Sequence, residues 1–576
     1  MSGAAQVTPP AVSHVTSGFT ATDSAGRNVA VRIAAVALLH AAALGVLVWS
    51  ELDLVSQAAF VLTWGFLNFC WLVALRRPAT AAALSLATFA ALILVSRFKY
   101  DVLLMTASFI DLMIIDQDTV AFLMMIFPGL ARSAGIAAIL GIPALIVIWR
   151  LDSFRIRRRI ALLGAASCFA GLAGLSFAIP VHPFDEFLGA NYVSKFARSG
   201  ATAIVDYVAH GFLESDAAAS DRLALAADVD CRPAAKPPNI ILLHDESSFD
   251  IRAVPGIAVP AGYGPHFRSF DGKQREFVVE TAGGASWFTE YNVLTGLSAR
   301  SYGRFSQFLT RIAAGRVERG LPHTLRKCGY KTFTLYPFLG AFLGARSFQS
   351  TAGIQNFRDA KDLGIRKVET DSFYFDAAAR LIGREHGAAP LFLFIYTAAN
   401  HFPWDWRFRP ELTPDWRDPG NGADIDEYLR RQAMSARDYP QFIERLRREF
   451  PQESFLVVRY GDHQPIFTRF FIDRSLDDAG IAQRLNQFDL RYFTTYYAID
   501  TVNYRPADLT AALDKLDAPY LPLVVLEAAG LPLDPSFAEQ KRIFQRCRGL
   551  FYRCNGGAEA RRFNRMLIDA SLIKGL

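Results

Sequence analysis

The sequence predicts two parts of different fold class: a multi-pass α-helical membrane domain, followed by an α/β domain with a mostly parallel central sheet. Of the 576 residues, 52% are hydrophobic and 20% are charged, which is an apolar composition for a soluble enzyme. The long apolar runs all lie in the first 180 residues, whereas short apolar runs alternate with helix-like segments after Lys236. This change of pattern separates the two fold classes.

The order of the segments predicts four regions. Residues 1–28 are rich in small and polar residues and predict a flexible cytoplasmic tail rather than a signal peptide. Residues 29–180 form the membrane domain with about five transmembrane helices, residues 181–235 a connecting arm, and residues 236–576 an extracytoplasmic domain.

The membrane domain is predicted from five apolar runs, each close to the ~20 residues that a helix needs to cross the hydrocarbon core. Buried helices of a soluble protein are the alternative, but five such runs within 180 residues favour membrane spans. The runs are residues 31–50, 54–75, 79–96, 134–149 and 160–179.

The loop charges predict the orientation of these spans. Arginines precede the first run, separate the second from the third and separate the fourth from the fifth, whereas the alternate loops are acidic. Because basic loops stay in the cytoplasm, we expect the amino terminus there and everything after residue 180 outside. The net charge of +6 is spread over the whole chain and does not imply nucleic acid.

Residues 98–132 interrupt the apolar pattern with charges, among them Lys99, Asp101 and Asp111. We interpret this stretch as interfacial or re-entrant helices on the outer side, which either contact lipid head groups or pack between helices.

The six cysteines fall into two groups. Cys70 and Cys168 lie within apolar runs, and four lie in the polar part of the chain, where an even number is compatible with two disulfides. No pair has the spacing of a zinc ribbon. The four polar-region cysteines are Cys231, Cys328, Cys547 and Cys554.

In the outer domain, alternating strand-like and helix-like segments predict an α/β layered fold. The strand candidates are residues 240–243, 276–279, 331–336, 390–396, 454–458 and 492–499. The helix candidates are residues 287–297, 320–328, 372–384, 423–449 and 505–515.

Four of these strands end in polar or small residues. Ligands of open α/β sheets bind outside the carboxyl ends of the parallel strands, so we expect these residues at one edge. Solvated polar residues would explain one such end, but four are harder to explain in that way. The ends are Asp245-Glu246-Ser247, Thr281 to Ser286, Asn400-His401 and Gly461-Asp462-His463.

Three of these residues, Glu246, Asp462 and His463, are donors of the kind that hold Zn²⁺ or Mn²⁺. Neighbouring strand residues face opposite sides, but Gly461 favours a turn in which Asp462 and His463 could converge. A Gly-Asp-His tripeptide alone is more often a surface turn, and the acid at another strand end is what turns it into a metal-site prediction.

Two further residues are candidates for catalysis. Ser286 follows two glycines and an alanine and begins a helix-like segment, where free N–H groups favour phosphate. It is either a nucleophile activated by a metal or a helix N-cap. The segment lacks the second glycine of a G-x-S-x-G elbow, which disfavours an α/β-hydrolase triad. His401 would stabilise a transferred phosphate or protonate a leaving alcohol, or else pack against aromatic residues.

The segments NIILLHDESS, GGASWFTEYNVLTG, NHFPW and RYGDH, in this order, resemble lipoteichoic-acid-synthase-like and phosphoethanolamine transferases. These are membrane members of the alkaline phosphatase/sulfatase superfamily. The resemblance covers most of the chain and implies a sulfatase-like outer domain on the periplasmic side of a bacterial cytoplasmic (inner) membrane.

The resemblance also implies residue roles. Glu246, Ser286, Asp462 and His463 would bind the metal, with Ser286 as the nucleophile in place of the family's usual threonine. His401 matches a histidine that contacts substrate.

Arg346 falls where the synthase-like enzymes carry an arginine for glycerol phosphate. Pro337 and Gly344, however, stand where that branch has histidine and tryptophan. The head group, phosphoglycerol or phosphoethanolamine, therefore stays open.

Together these expectations predict a membrane-embedded, metal-dependent transferase. It would move the head group of a phospholipid donor to an envelope glycan or lipid through a phosphoserine at Ser286. One alternative is a phosphate- or sulfate-ester hydrolase of the same superfamily, although Trp287-Phe288-Thr289 departs from the x-Pro-x-Arg segment of sulfatases. Another is a catalytically inactive envelope sensor or scaffold.

Overall fold

The computed structural model describes residues 20–103, 105–113, 117–127, 129–180, 187–216, 223, 231 and 236–575. The chain divides into two compact units. We call Met1–Leu92 with Gly135–Leu175 the helical unit, and Ile93–Ala134 with Ser176–Leu576 the sheet unit.

Five helices are long and apolar enough to cross a membrane, and they match the five predicted runs. Many of their apolar side chains are exposed, among them Leu38, Ile139 and Leu163, as expected of helices whose solvent is lipid. The helices are α1 (Thr20–Ser50), α2 (Leu54–Leu75), α3 (Pro78–Leu103), α5 (Gly129–Leu151) and α6 (Arg158–Ala178).

The amino-terminal tail was predicted over residues 1–28. Helix α1 begins at Thr20, within that segment, and residues 1–19 lie outside the described residues.

The charged stretch 98–132 belongs largely to the sheet unit. It contains a short 3₁₀ helix, Phe109–Met113, and helix α4 (Gln117–Ile126). Two of its charges pair with each other, since Lys99 Nζ lies 2.8 Å from Asp111 Oδ2.

The predicted connecting arm contains helix α7 (Tyr192–His210). Residues 181–186, 217–222, 224–230 and 232–235 of this arm lie outside the described residues.

The sheet unit is built on one eight-stranded sheet, in the order β4-β3-β5-β1-β6-β7-β2-β8. The sheet is mostly parallel, as predicted, and both antiparallel pairings involve β7. All six predicted strands are present, and β4 and β8, of three residues each, were not predicted. The strands are β1 (Asn239–Asp245), β2 (Arg275–Val278), β3 (Lys331–Leu335), β4 (Asn356–Arg358), β5 (Leu391–Tyr396), β6 (Phe455–Gly461), β7 (Thr494–Val502) and β8 (Lys515–Asp517).

The three central strands β5, β1 and β6 are buried along their whole length. Parallel strands covered on both faces read as continuous apolar runs, which is why the sequence revealed them.

Helices cover this sheet, and four of the five predicted outer-domain helices are present as α8, α10, α13 and α14. The helices are α8 (Trp287–Thr295), α9 (Leu309–Ala313), α10 (Leu321–Lys327), α11 (Ala345–Thr351), α12 (Ala360–Leu363), α13 (Asp371–Glu385), α14 (Ala423–Glu449), α15 (Arg469–Ile472), α16 (Asp478–Asn486), α17 (Leu521–Ala528), α18 (Pro535–Cys547) and α19 (Ala558–Asp569).

The predicted helix over residues 505–515 was wrong, because this segment is a loop that leads into β8. Asp508 Oδ1 accepts hydrogen bonds from the Thr510 backbone N at 2.7 Å and the Thr510 hydroxyl at 2.6 Å. Such a local side-chain bond satisfies the backbone without a helix.

The four cysteines of the polar part form two disulfides, with which their even number was compatible. They join Cys231 to Cys328 and Cys547 to Cys554. Cys70 and Cys168 are free.

Candidate metal centre and nucleophile

The carboxyl ends of four strands meet at one edge of the sheet. β1 pairs in parallel with β5 and β6, so that His244 lies opposite both Tyr396 and Tyr460. β2 points the same way as β6, because both are antiparallel to β7. The segments that follow these strands therefore share one edge, as the sequence predicted.

Ser286 lies at the amino end of α8, after a tight turn. Gly283 has a φ of 75° and Ala285 a φ of 59°, both in the left-handed region. A Cβ on Gly284 would lie 2.8 Å from Leu103 Cδ2, so the turn needs a glycine for this close approach. The Ser286 side chain makes no capping hydrogen bond. The hydroxyl is therefore free of a capping role in α8.

That hydroxyl lies among the other predicted metal ligands. Ser286 Oγ is 3.2 Å from Glu246 Oε2 and 3.2 Å from His463 Nε2. His463 Nε2 is also 3.5 Å from Glu246 Oε1 and 3.4 Å from Asp462 Oδ2. Glu246, Asp462 and His463 are fully buried and Ser286 is half-buried. The fold thus brings four residues from three strand ends into one cluster.

The cluster fits a divalent cation. Ligands that surround a tetrahedral ion at about 2.1 Å stand about 3.4 Å apart, close to the separations of 3.2 to 3.5 Å found here. Asp462 Oδ2 and His244 Nε2 are buried and lie 3.1 Å apart, but neither has a partner with hydrogen-bond geometry. Since buried polar atoms normally have a partner, an ion that both could ligate would remove the deficit. Oxygen and imidazole donors suit zinc or manganese.

His244 is a residue that the sequence reasoning missed. Its ligand atom lies within 4.8 Å of those of Glu246 and Asp462. Its Nδ1 is 2.8 Å from the Tyr460 hydroxyl and its ring stacks on Tyr396 at 3.8 Å, which fixes the imidazole. The available signal was the strand period of two, which places His244 and Glu246 on the same side of β1.

The charges of the cluster depend on one another. Burial alone would raise the pKa of Glu246, but the nearby His401 imidazole, the hydrogen bond with His463 and the His244 imidazole outweigh burial and hold this pKa well below its usual range. Burial alone would lower the pKa of His463, but the Asp462 and Glu246 carboxylates raise it to about 9.

Ser286 lines a pocket that we call the head pocket, together with Trp287, Glu290, Thr310, Tyr336, Phe338, Phe342, Leu343, Ala345, Tyr396 and His401. His401 also lines this pocket, and its contact with substrate stays a prediction. His401 Nδ1 is 2.6 Å from the Phe402 carbonyl oxygen, so Nδ1 carries the proton of the neutral ring and Nε2 is left as the acceptor. The ring also stacks on Phe402 at 4.4 Å, so the histidine both packs and lines the pocket.

Arg346 is not among the residues that line the head pocket. Its Nη2 lies 2.8 Å from Asp359 Oδ2 and 3.0 Å from Asp362 Oδ2, and its Nη1 donates to the Phe357 carbonyl at 2.8 Å. The structure therefore does not bring Arg346 to the metal cluster, and its contact with substrate stays a prediction.

Glu290 is a second residue that the sequence reasoning missed. It lies one turn after Ser286 on α8 and lines the head pocket. Its side chain is buried, which raises its pKa to about 7. The sequence signal that could have found Glu290 is again its spacing from Ser286, since residues four apart share one face of a helix.

The charged stretch after α3 reaches the rim of the head pocket. Helix α4 packs beside residues Phe342–Gly344, and the Phe342 and Leu343 side chains line the pocket. The Phe127 ring, just after α4, lies 6.0 Å from the Phe402 ring. All of these residues belong to the sheet unit.

Residues 281–491 match the family model described as sulfatase. An uncharacterized protein of Haemophilus influenzae is 22% identical over 205 residues, which cover 33% of this chain and 36% of that protein. The match thus spans about a third of the length of this curated relative.

Three solved structures are similar at low identity. The phosphoglycerol transferase GacH of Streptococcus pyogenes, in complex with sn-glycerol-1-phosphate, is 16% identical, with coverage of 60% of this chain and 89% of that chain and a TM-score of 0.46. The lipooligosaccharide phosphoethanolamine transferase A of Neisseria meningitidis is 13% identical, with coverage of 71% and 82% and a TM-score of 0.40. The lipoteichoic acid synthase LtaP of Listeria monocytogenes is 17% identical, with coverage of 53% and 75% and a TM-score of 0.39.

The family match and the geometry concern the same residues. Ser286, His401, Asp462 and His463 all lie within residues 281–491, and Glu246 joins them from β1. In its described residues, the chain thus combines five apolar helices with a mostly parallel sheet domain, of which one segment matches the sulfatase family model.

Proposed function

We propose that the protein is a metal-dependent transferase that moves a phospholipid head group, phosphoglycerol or phosphoethanolamine, to an envelope glycan or lipid. The observation that carries this proposal is the Ser286 hydroxyl, which is not used as a helix cap and lies 3.2 Å from both Glu246 and His463. A hydroxyl in that position, at the mouth of a pocket, suits a nucleophile.

Glu246, Ser286, Asp462 and His463 would hold the divalent cation, with His244 as a further donor. The cation would supply positive charge that favours the ionised serine and draws the oxygens of a phosphate. Zn²⁺ and Mn²⁺ both suit these ligands.

The reaction would proceed in two displacements at phosphorus. The Ser286 hydroxyl loses its proton as Oγ attacks the phosphorus of the head-group phosphodiester, the P–O bond to diacylglycerol breaks, and the released oxygen takes up the proton that the serine has lost. His401 Nε2 is the ring nitrogen left to exchange that proton. A hydroxyl of the acceptor then attacks the phosphoserine, the P–Oγ bond breaks, and Ser286 recovers a proton that the acceptor hydroxyl has lost.

A lipid donor is supported by what lies beside the head pocket. Helix α4 and Phe127, which reach the pocket rim, come from the stretch directly after the candidate span α3. Because the chain enters this stretch directly from a candidate span, a lipid is a suitable donor for this pocket. This function implies that the sheet unit lies on the periplasmic side of a bacterial cytoplasmic membrane.

The proposal is tested with the full chain in lipid nanodiscs that contain phosphatidylethanolamine and phosphatidylglycerol. We expect the wild type to release diacylglycerol and to carry a head-group phosphate on the peptide that contains Ser286. Ser286→Ala should lose both signals, whereas Ser347→Ala, at an exposed serine of α11, should keep both. Full diacylglycerol release by Ser286→Ala would overturn the proposal.

A further inference from the structure

A cleft of about 230 Å³ lies between helices of the helical unit, and we call it the span cleft. Arg32, the first residue of the apolar part of α1, lines it together with Asp152, the residue after α5. The rest of the wall is apolar. It consists of Ala35, Leu38 and Leu39 of α1, Ala79 of α3, and Ile148 and Leu151 of α5.

The protein itself does not fill the span cleft. Helix α5 has no buried residue along its 23 residues, and Leu38 and Leu151, which face the cleft, are more than half exposed. An apolar cavity of about 150 Å³ already stays dry and takes up small hydrocarbons. The span cleft is larger than that, and it lies between two helices that the sequence assigns to a bilayer. The hydrocarbon that a bilayer offers to such a cleft is a lipid acyl chain.

The arginines beside the cleft keep their positive charge. Arg32 Nη1 donates to the Ser153 hydroxyl, and Arg77 Nη1 donates to the Trp149 carbonyl while its guanidinium stacks on the Trp149 ring at 4.1 Å. Arg76 Nε donates to a backbone carbonyl at 3.2 Å. All of these partners are neutral. An anion that approached this end of the helical unit would therefore meet cations that no carboxylate has neutralised.

The carboxylate of the wall is already used by the fold. Asp152 Oδ2 accepts hydrogen bonds from the Thr80 backbone N at 2.8 Å and the Thr80 hydroxyl at 3.1 Å, which ties the end of α5 to the start of α3. The Asp152 side chain is only 2% exposed, whereas Arg32 is half-buried. The charge that a ligand of the span cleft can reach is thus the positive charge of Arg32.

We infer that the span cleft binds one anionic phospholipid of the bilayer as a resident structural lipid. One acyl chain lies between α1 and α5, and the phosphate meets Arg32, because basic residues at the ends of spans attract anionic head groups. This inference does not depend on the proposed transferase function. The cleft belongs to the helical unit, whereas the nucleophile Ser286 belongs to the sheet unit.

The test uses the full chain, purified in a neutral detergent and freed of lipid. Phosphatidic acid and phosphatidylcholine with the same acyl chains are added, and native mass spectrometry counts the lipids that each chain retains. Neither lipid carries one of the two head groups of the proposed donors. We expect one phosphatidic acid per chain, bound at least about fivefold more tightly than phosphatidylcholine, which is the scale of one basic residue at a lipid surface. Ser286→Ala should bind the same lipid equally well.

Two variants test the two halves of the cleft. Arg32→Gln removes the charge and should weaken phosphatidic acid by about fivefold while it leaves phosphatidylcholine unchanged. Arg159→Gln, at an exposed arginine of α6 that does not line the cleft, is its control. Ala35→Phe fills the cleft and should remove binding of the acyl chain. Ala37→Phe, at an exposed position of α1 outside the cleft, is the matched control.

Melting temperatures separate loss of the site from loss of the fold. Phosphatidic acid should raise the melting temperature of the wild type, since a ligand of the folded state stabilises it. Ala35→Phe should melt without lipid at or above the wild-type temperature and show no rise with lipid. Equal binding of the two lipids by the wild type, or an equal loss in Arg32→Gln and Arg159→Gln, would mean diffuse attraction to the basic surface and overturn the inference. Unchanged binding by Ala35→Phe would overturn it as well.

Discussion

Strand β1 ends in two adjacent buried carboxylates, Asp245 and Glu246, that lie in different surroundings. Asp245 Oδ2 accepts from the Tyr496 hydroxyl at 2.5 Å and lies 3.2 Å from His266 Nε2. Arg459 supplies a cation to this side, where its Nη2 donates to the His266 carbonyl at 3.0 Å.

Glu246 has no such cation. It accepts from the hydroxyls of Ser247, Tyr396 and Ser286 at 2.8, 2.9 and 3.2 Å. In the described part of the chain, its ion-pair partner is His463 and no lysine or arginine. The comparison teaches that the carboxylate that supports the fold has an arginine nearby, whereas Glu246 has only histidine and hydroxyl partners, which are groups that can share it with a metal ion.

The largest effect on metal binding and activity is expected from a substitution in the cluster around Glu246. Asp462→Asn should abolish stoichiometric binding of zinc or manganese and lower transferase activity by about 10³-fold, the scale of losing an electrostatic group at the reacting centre. Metal analysis of the purified chain and the rise of the melting temperature on metal addition would check this without an activity assay. Asp376→Asn, at a half-exposed aspartate of α13, is the matched control. Retention of one bound metal by Asp462→Asn would contradict the metal centre.

A substitution near Asp245 should instead lower the stability of the fold and leave metal binding unchanged. Arg459→Met leaves Asp245 and Asp500 without a buried cation, and breaking a buried pair costs about 3–5 kcal/mol of folding free energy. The variant should therefore melt at lower temperature, while the fraction that remains folded binds metal as the wild type does. Loss of metal from folded Arg459→Met, with unchanged stability, would show that the two sides do not differ in the proposed way.

Much of the candidate metal centre could be predicted from the sequence, because it depends on local patterns. The apolar strands and the polar residues directly after them placed Glu246, Ser286, Asp462 and His463 at one edge. His244 and Glu290 were not found, because their importance lies in what faces them in the folded chain, the Asp462 carboxylate and the head pocket. The pairing of Arg346 with Asp359 and Asp362 depends on the packing of α11 against β4 and α12.

Asp371 is a third buried carboxyl group, and it is accommodated by protonation rather than by a cation. Burial, reinforced by the charges of Asp245 and Asp438, raises the pKa of Asp371 to about 8. Its oxygens accept from the Ser435 hydroxyl at 2.5 Å and from the Ala399 backbone N at 3.3 Å, two residues before His401. Because the folded state keeps a proton that the unfolded state has lost above its ordinary pKa near 3.9, stability should fall as the pH rises towards 8.

Asp371→Asn mimics the protonated side chain and should remove this dependence. We expect the wild-type stability to fall between pH 6 and 8 relative to the variant, by at most about 1.4 kcal/mol per pH unit. Melting curves of both proteins across this range measure the difference. Parallel curves would show that Asp371 does not change its protonation there.

The smallest effect is expected at Arg346, although the resemblance gave it a role in binding substrate. Its guanidinium already has two carboxylate partners, and its side chain is 45% exposed, so the pairs are worth at most about 1 kcal/mol. Arg346→Ala should therefore change the rate with either phospholipid donor by less than about fivefold, since 1.4 kcal/mol is a tenfold change. A loss of tenfold or more that is confined to phosphatidylglycerol would mean that Arg346 leaves its aspartates to meet the glycerol head group. In that case the chain would place its own cation in the head pocket when the glycerol head group binds.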